Sequence, residues 1–123
     1  MSRDWLLFLD DLIASGQKIG RLTGGLSAEQ LVANEAAFDA VLFNLQIIGE
    51  AVKAFPPEAL EGLSPQHRSA PARLRDLIAH HYFALDPDIV WDVAVHHVPS
   101  LLAEALALQS GADGGRSGTV DPA

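Results

Sequence analysis

The octapeptide Arg75-Asp76-Leu77-Ile78-Ala79-His80-His81-Tyr82 concentrates the side chains of this sequence that could do chemistry. An arginine keeps its charge and can fork onto the oxygens of an anion. A histidine titrates near neutrality and can carry a proton. The surroundings are locally basic. Of only eight Lys and Arg residues, Arg68, Arg73 and Arg75 fall close together, His67, His80 and His81 flank them, and Asp76 is the only acid between 67 and 82. Such a patch on an acidic protein can bind an anion at one place, or it can be an ordinary stretch of an acidic surface. At about 100° per residue, Arg75 and Tyr82 share nearly one helical stripe, whereas Arg75 and His80 stand about 140° apart. A working Arg75–His80 pair therefore requires a distorted helix end, an arginine that reaches round, or a site shared by two subunits. The structural alternative is an Arg75 paired with Asp76 or Asp86 and a helix-terminal histidine favoured by the helix dipole.

Other candidates are weaker. His96-His97 invites a metal reading, but adjacent helical positions diverge by about 100° and no carboxylate-rich ligand set accompanies them, so no metal is expected. Glu50 has Lys53 three residues on, which fits a solvated pair or, alternatively, a polar residue lining a cleft. Trp5 and Trp91 read as core or interface residues. No glycine-rich phosphate loop or Ser-His-Asp order stands out.

The elements that must position these groups read as helices throughout. Residues 2–22 carry Trp5, Phe8, Leu9, Leu12, Ile13, Ile19 and Leu22 at helical spacing. Thr23-Gly24-Gly25 stops this helix, and Ser27 with Gln30 opens the next through a capping box. Over 27–54, Leu31, Asn34, Phe38, Val41, Leu45, Ile48, Val52 and Phe55 form a heptad seam with one polar member. Leu42, Phe43 and Ile47 lie off that seam, which suits either a central bundle helix or a homodimer face. Phe55-Pro56-Pro57 ends the helix, and 56–70 reads as a loop with at most a turn after Ser64-Pro65. Pro71 suits the first position of a third helix running to Tyr82, and Asp86-Pro87 restarts the chain into a fourth over 87–109. Pro99 should kink that last helix near Val98. The expected fold is all-α, an antiparallel four-helix bundle over 1–109. The glycine-rich segment 110–123 is expected to be a disordered tail.

With 123 residues the chain has room for one domain, and a hydrophobic fraction of 49% suffices for a core. It contains no cysteine, which excludes disulfides, thiolate metal sites and cysteine catalysis. Neither an apolar run of membrane-spanning length nor a secretory leader is visible, and the expected location is cytoplasmic. The net charge of −8, taken alone, argues against nucleic-acid binding.

The motif Arg75-x4-His80-x-Tyr82 resembles the Arg-x4-His-x-Tyr signature of HepT proteins, a branch of the HEPN superfamily of small helical RNases. Asn44-Leu45-Gln46-Ile47-Ile48-Gly49-Glu50-Ala51 is similar to the second-helix segment of that family. Tyr82-Phe83, Asp86, Ile89-Val90-Trp91 and Val98-Pro99 are similar to the entry of its fourth helix, and the likeness spans roughly 3–106. Two positions depart from the pattern. Ala70-Pro71-Ala72 stands where a tryptophan is common, and Phe43 stands where a basic residue is common. The resemblance implies a metal-independent endoribonuclease toxin without cofactor, acting on RNA rather than DNA. Arg75 and His80 would be catalytic, Asp76 would orient them, and Asn44 and Glu50 would line the cleft. It implies a homodimer with two motif copies across that cleft. It also implies a nucleotidyltransferase antitoxin of the MntA type, which would neutralise the toxin by AMPylation of Tyr82. A second class stays open: a non-catalytic helical module that dimerises, binds a nucleotide and assembles with the nucleotidyltransferase. The acidic charge and Phe43 favour that module, and the intact Arg–His pair favours the enzyme. A plain helical scaffold is the third alternative.

Overall fold

Leu9, Leu12, Ile13, Gly16 and Ile19 lie on one stripe of the first helix, α1 (Asp4–Thr23), and all are buried. The computed structural model of the chain describes the backbone of residues 4–120 and the side chains of 4–112. Helix α1 stops where expected: the Gly24 N–H donates to the Gly20 carbonyl at 3.0 Å, and Gly25 takes the left-handed conformation with φ +79°. The capping box also forms, with Ser27 Oγ accepting from the Gln30 N–H and Gln30 Oε1 accepting from the Ser27 N–H.

The long second helix expected over 27–54 is in fact two, α2 (Ala28–Ala33) and α3 (Glu35–Ala54). Asn34 divides them at φ −95°, ψ 91°. Its backbone N–H closes α2, and its Oδ1 accepts from the Ala37 N–H at 3.1 Å to cap α3. The one polar member of the heptad seam is thus a break, because an asparagine side chain competes with the backbone ladder. Helix α3 packs between α1 and the motif helix, with Val41, Leu45, Ile48 and Val52 buried. Its antiparallel sense to α1 shows in Trp5 meeting Phe55 edge to face, at 5.5 Å between centroids. Of the three residues expected to form surplus apolar surface, Leu42 is buried within the chain, Ile47 is half-buried and Phe43 is exposed.

Three further expectations need correction. The stretch read as a loop holds α4 (Pro57–Leu60) and the start of α5 (Pro65–His80), in which Pro65 takes the first position. Pro71, expected to begin that helix, lies inside it and is buried. A mid-helix proline forfeits one backbone hydrogen bond, and here it is packed against α3 at Gly49. The helix also ends at His80, before Tyr82, which belongs to a 3-10 turn (Tyr82–Ala84). Pro87 holds Asp86 extended, so the chain must leave the helix in time to turn. Arg75 and Tyr82 therefore do not share a stripe.

Asp86 caps α6 (Pro87–Asp92), as expected, by accepting from the Asp88 N–H at 2.9 Å. The kink at Pro99 takes a specific form: a π-helical turn (Val93–His97) joins α6 to α7 (Val98–Val120), and the Val98 N–H donates to Val93. Pro99 cannot donate to the carbonyl four residues back, and widening the preceding turn accommodates that loss. The helical path continues past the end expected at 109, because no proline stops propagation between 100 and 120. Of the expected tail, 121–123 lie outside the described residues. Helices α1, α3, α5 and the α6–α7 arm form the all-α bundle, with no strand among the described residues. No helix among them is long and apolar enough to cross a membrane.

Candidate functional site

Helices α3 and α5 approach so closely that only glycine fits at their crossing. A Cβ on Gly49 would lie 2.4 Å from Arg75 Cβ and 2.7 Å from the Pro71 carbonyl oxygen. This crossing clamps the root of Arg75 and directs its guanidinium along the edge of α3. There Nη2 lies 3.4 Å from Glu50 Oε1 and Nη1 lies 3.4 Å from Asp76 Oδ1. Both distances exceed the usual range for an N–H···O bond, so neither carboxylate holds the guanidinium tightly. Nε is buried and has no partner among the described residues. The arrangement is a positive group fixed at its base and loosely engaged at its tip, which suits exchange of a carboxylate for another anion.

Lys53 bonds Asp76, completing a group in which two cations and two carboxylates alternate across α3 and α5. The pairing differs from the expected Glu50–Lys53 contact, because α5 offers each α3 residue a better-placed partner. The Lys53 hydrogen bond, opposed by desolvation and helped by the charges of Lys53 and Arg75, holds the Asp76 carboxyl below its ordinary value of 3.8. A depressed folded-state pKa gives stability that is complete above the unfolded value and is lost as pH falls through the folded one. In Asp76→Asn, melting temperature should therefore lie below wild type by a constant margin above about pH 4, and the margin should close at lower pH. A margin that instead persists into strong acid, in a thermal denaturation series from pH 2 to 7, would contradict this role for the carboxylate.

His80 closes α5 and is exposed, with no hydrogen bond or ion pair among the described residues. The helix is regular up to it, since the His81 N–H still donates to Leu77 at 2.7 Å. The end of α5 is thus undistorted, and Arg75 is turned toward Glu50 and Asp76 rather than round to His80. Of the three ways to unite the pair, the single chain supplies neither of the first two. Tyr82 is 57% exposed, and its hydroxyl caps no carbonyl among the described residues. Asn44, proposed to line a cleft, is buried in α3, where Nδ2 donates to the Ala40 carbonyl at 2.8 Å and Oδ1 has no partner among the described residues. Glu50 is at the surface beside Arg75.

Among the described residues no cluster of three or more groups could hold a metal ion. His96 pairs on the surface with Asp92 at 2.9 Å. The π turn brings His97 onto His67, with the two Nδ1 atoms 3.2 Å apart, while its Nε2 stays 3.6 Å from Asp92. That contact was invisible in the sequence, since a π turn shifts the register of everything after it. Arg73 was likewise passed over as one member of the basic patch, although it is exposed on the His80 side of α5 and free of any ion pair among the described residues.

The model of the family described as "Ribonuclease HepT-like" matches residues 12–108. A protein of Methanocaldococcus jannaschii named "Putative RNase MJ0127" is 30% identical over 102 residues, covering 83% of this chain and 84% of the relative. A Thermococcus cleftensis protein named "Probable ribonuclease HepT" is 30% identical over 105 residues, covering 82% and 92%. No solved structure matches significantly. The match of the family model over residues 12–108, with relatives 30% identical over most of the chain, places this helical bundle in the HepT-like ribonuclease family.

Proposed function

We propose that this chain is a metal-independent endoribonuclease toxin, active as a homodimer and neutralised when a partner nucleotidyltransferase transfers AMP to Tyr82. The observation that carries this reading is the pair formed by a clamped but loosely engaged Arg75 and an unpartnered, exposed His80 in a HepT-like chain. His80 takes the proton of an RNA 2′-hydroxyl, and the resulting oxygen attacks the adjacent phosphorus. Arg75 stabilises the charge on the pentacovalent phosphorane, and the 5′-oxygen leaves as its bond to phosphorus breaks, taking a proton from solvent water. The products are a 2′,3′-cyclic phosphate and a 5′-hydroxyl. Asp76 steadies Arg75 before substrate arrives. The angular gap between Arg75 and His80 along α5 is bridged by drawing them from two copies of the chain.

The apolar surface supports association. Phe43 is 64% exposed and Phe83 90% exposed, more than an isolated protomer hides well. Light scattering at micromolar concentration is expected to give the mass of a dimer; a monomer that persists on concentration would remove the shared site.

Neutralisation follows from the position of Tyr82. Its exposed hydroxyl, two residues after His80, attacks the α-phosphorus of ATP on the partner; pyrophosphate leaves and the phenolic proton passes to a base of the partner. The new phosphodiester brings negative charge and bulk to the end of α5, where they compete with RNA. Co-expression with the partner should add one or more AMP units to the intact mass, and the addition should vanish in Tyr82→Phe. A toxin that is neutralised while unmodified would show that the partner acts by binding alone. The presence of Glu50 and Asp76 on either side of Arg75 favours a second reading, a non-catalytic module that assembles with the nucleotidyltransferase. Inhibition of growth by the chain expressed alone, lost in His80→Ala, separates the enzyme from the module.

A further inference from the structure

We infer that the groove between α5 and α6 is an RNA subsite, in which Arg73 holds a backbone phosphate while the flanking base lies against Leu77 and Ile89. This rests on the ribonuclease reading and extends it to a surface on which none of the proposed catalytic groups lies. The groove has a volume of about 300 Å³ and is lined by Arg73, Leu77, Ile89, Asp92 and His97, among others. Three observations converge there. Arg73 and His80 are seven residues apart on a regular helix, so their side chains leave α5 within about 20° of each other and about 10 Å apart along its axis. A strand whose scissile phosphate reached His80 would thus continue over Arg73. Arg73 is also exposed and without an ion pair among the described residues, unlike Arg75 and Lys53, which face carboxylates, and Arg68, which donates to the Leu60 carbonyl. In so acidic a protein, an uncommitted guanidinium is where phosphate gains most.

The third observation is the chemistry of the walls. Leu77 and Ile89 are apolar, and Ile89 is 51% exposed, an aliphatic face open to a flat ring. The acid in the groove, Asp92, turns its two oxygens to His96 and His97, at 2.9 and 3.6 Å, and forms no ion pair with Arg73 among the described residues. A larger groove of about 410 Å³ between α2 and α6 is a poor alternative, because Glu29 and Asp88 line it without a cation.

The test is binding of a fluorescent, uniformly 2′-O-methylated single-stranded oligoribonucleotide, which cannot be cleaved through its 2′-oxygen, to the full chain over a range of salt concentrations. Cleavage of unmodified RNA is measured in parallel. Arg73→Gln should raise Kd about tenfold and reduce the log–log salt slope by about 0.7, the contribution of one phosphate contact to a single strand. In cleavage it should raise KM and leave kcat nearly unchanged. Arg73→Lys should keep the wild-type slope, and Ile89→Glu should raise Kd at every salt concentration. Matching circular dichroism melts confirm that the variants fold. Wild-type cleavage with the same Kd and slope in Arg73→Gln would overturn the subsite and leave the ribonuclease reading standing. A wild type that neither binds nor cleaves RNA would overturn both. Loss of a protein partner from Arg73→Gln, with RNA binding intact, would assign the groove to that partner and also overturn the subsite.

Discussion

Arg75→Ala and His80→Ala should each lower RNA cleavage by a factor of about 10² to 10⁴, the range associated with losing a positioned proton carrier or a charge-stabilising group. Neither change should unfold the chain. His80 is exposed at the end of α5 and touches no partner among the described residues, so its removal costs no core volume. Arg75 is different in one respect, because its stem packs on Gly49 and its Nε is buried. Truncation to alanine keeps the Cβ that meets Gly49 and removes a buried, unpartnered nitrogen, so the loss of stability should stay small. Glu50 and Asp76 then face each other across the vacated position, and the variant should become more sensitive to low salt. The check is a cleavage time course on matched protein concentrations beside a thermal melt. Variants that cleave as fast as wild type would exclude the assigned roles.

The largest effect on the fold is expected at Gly49. A helical Gly→Ala change ordinarily gains up to about 1 kcal/mol from reduced backbone freedom. At Gly49 the new methyl would stand 2.4 Å from Arg75 Cβ and 2.7 Å from a backbone oxygen. Neither neighbour is the end of a flexible side chain, so α3 and α5 must move apart. Overpacking of this kind costs about 1–3 kcal/mol, occasionally more. The melting temperature should fall by roughly 10 °C, using the shift per kcal/mol typical of domains near this size. Cleavage should fall with it, since the same contact sets where Arg75 points. Gly20 provides the internal control: nothing lies within 4 Å of its Cβ position, so Gly20→Ala should raise the melting temperature. Equal melting temperatures for the two variants would show that the α3–α5 crossing has slack that the distances deny.

Much of the fold was legible in the sequence wherever a local device decides it. Ser27-Gln30, Gly24-Gly25, Asp86-Pro87 and Pro99 each act within a turn or two of themselves, and each does what its chemistry requires. Asn34 and Pro71 were misread for a shared reason. Hydrophobic spacing runs through a break when the residues on either side keep their register, as Leu31 and Phe38 do, so periodicity alone hides Asn34. Pro71 looked like a helix start because a proline inside a helix requires compensation from a neighbouring element. That compensation is Gly49, some twenty residues away in sequence and in contact only after folding. The motif itself was readable as residue types. Its pairing was not: Glu50 with Arg75 and Lys53 with Asp76 depend on the axial register between α3 and α5, which no spacing within one helix reveals. Arg73 was hidden similarly, since its place beside Leu77 and Ile89 depends on how α6 packs against α5.

The most direct measurement is the chemistry of the cut ends, made with purified wild-type chain and single-stranded RNA in excess chelator. Attack by the 2′-oxygen, with His80 taking its proton and Arg75 stabilising the phosphorane, predicts fragments ending in a 2′,3′-cyclic phosphate and beginning with a 5′-hydroxyl, formed at the same rate with or without chelator. Mass spectrometry of the fragments reads both ends at once. Absence of cleavage, cleavage abolished by chelator, or fragments carrying 3′-hydroxyl and 5′-phosphate ends would contradict metal-free cleavage by Arg75 and His80.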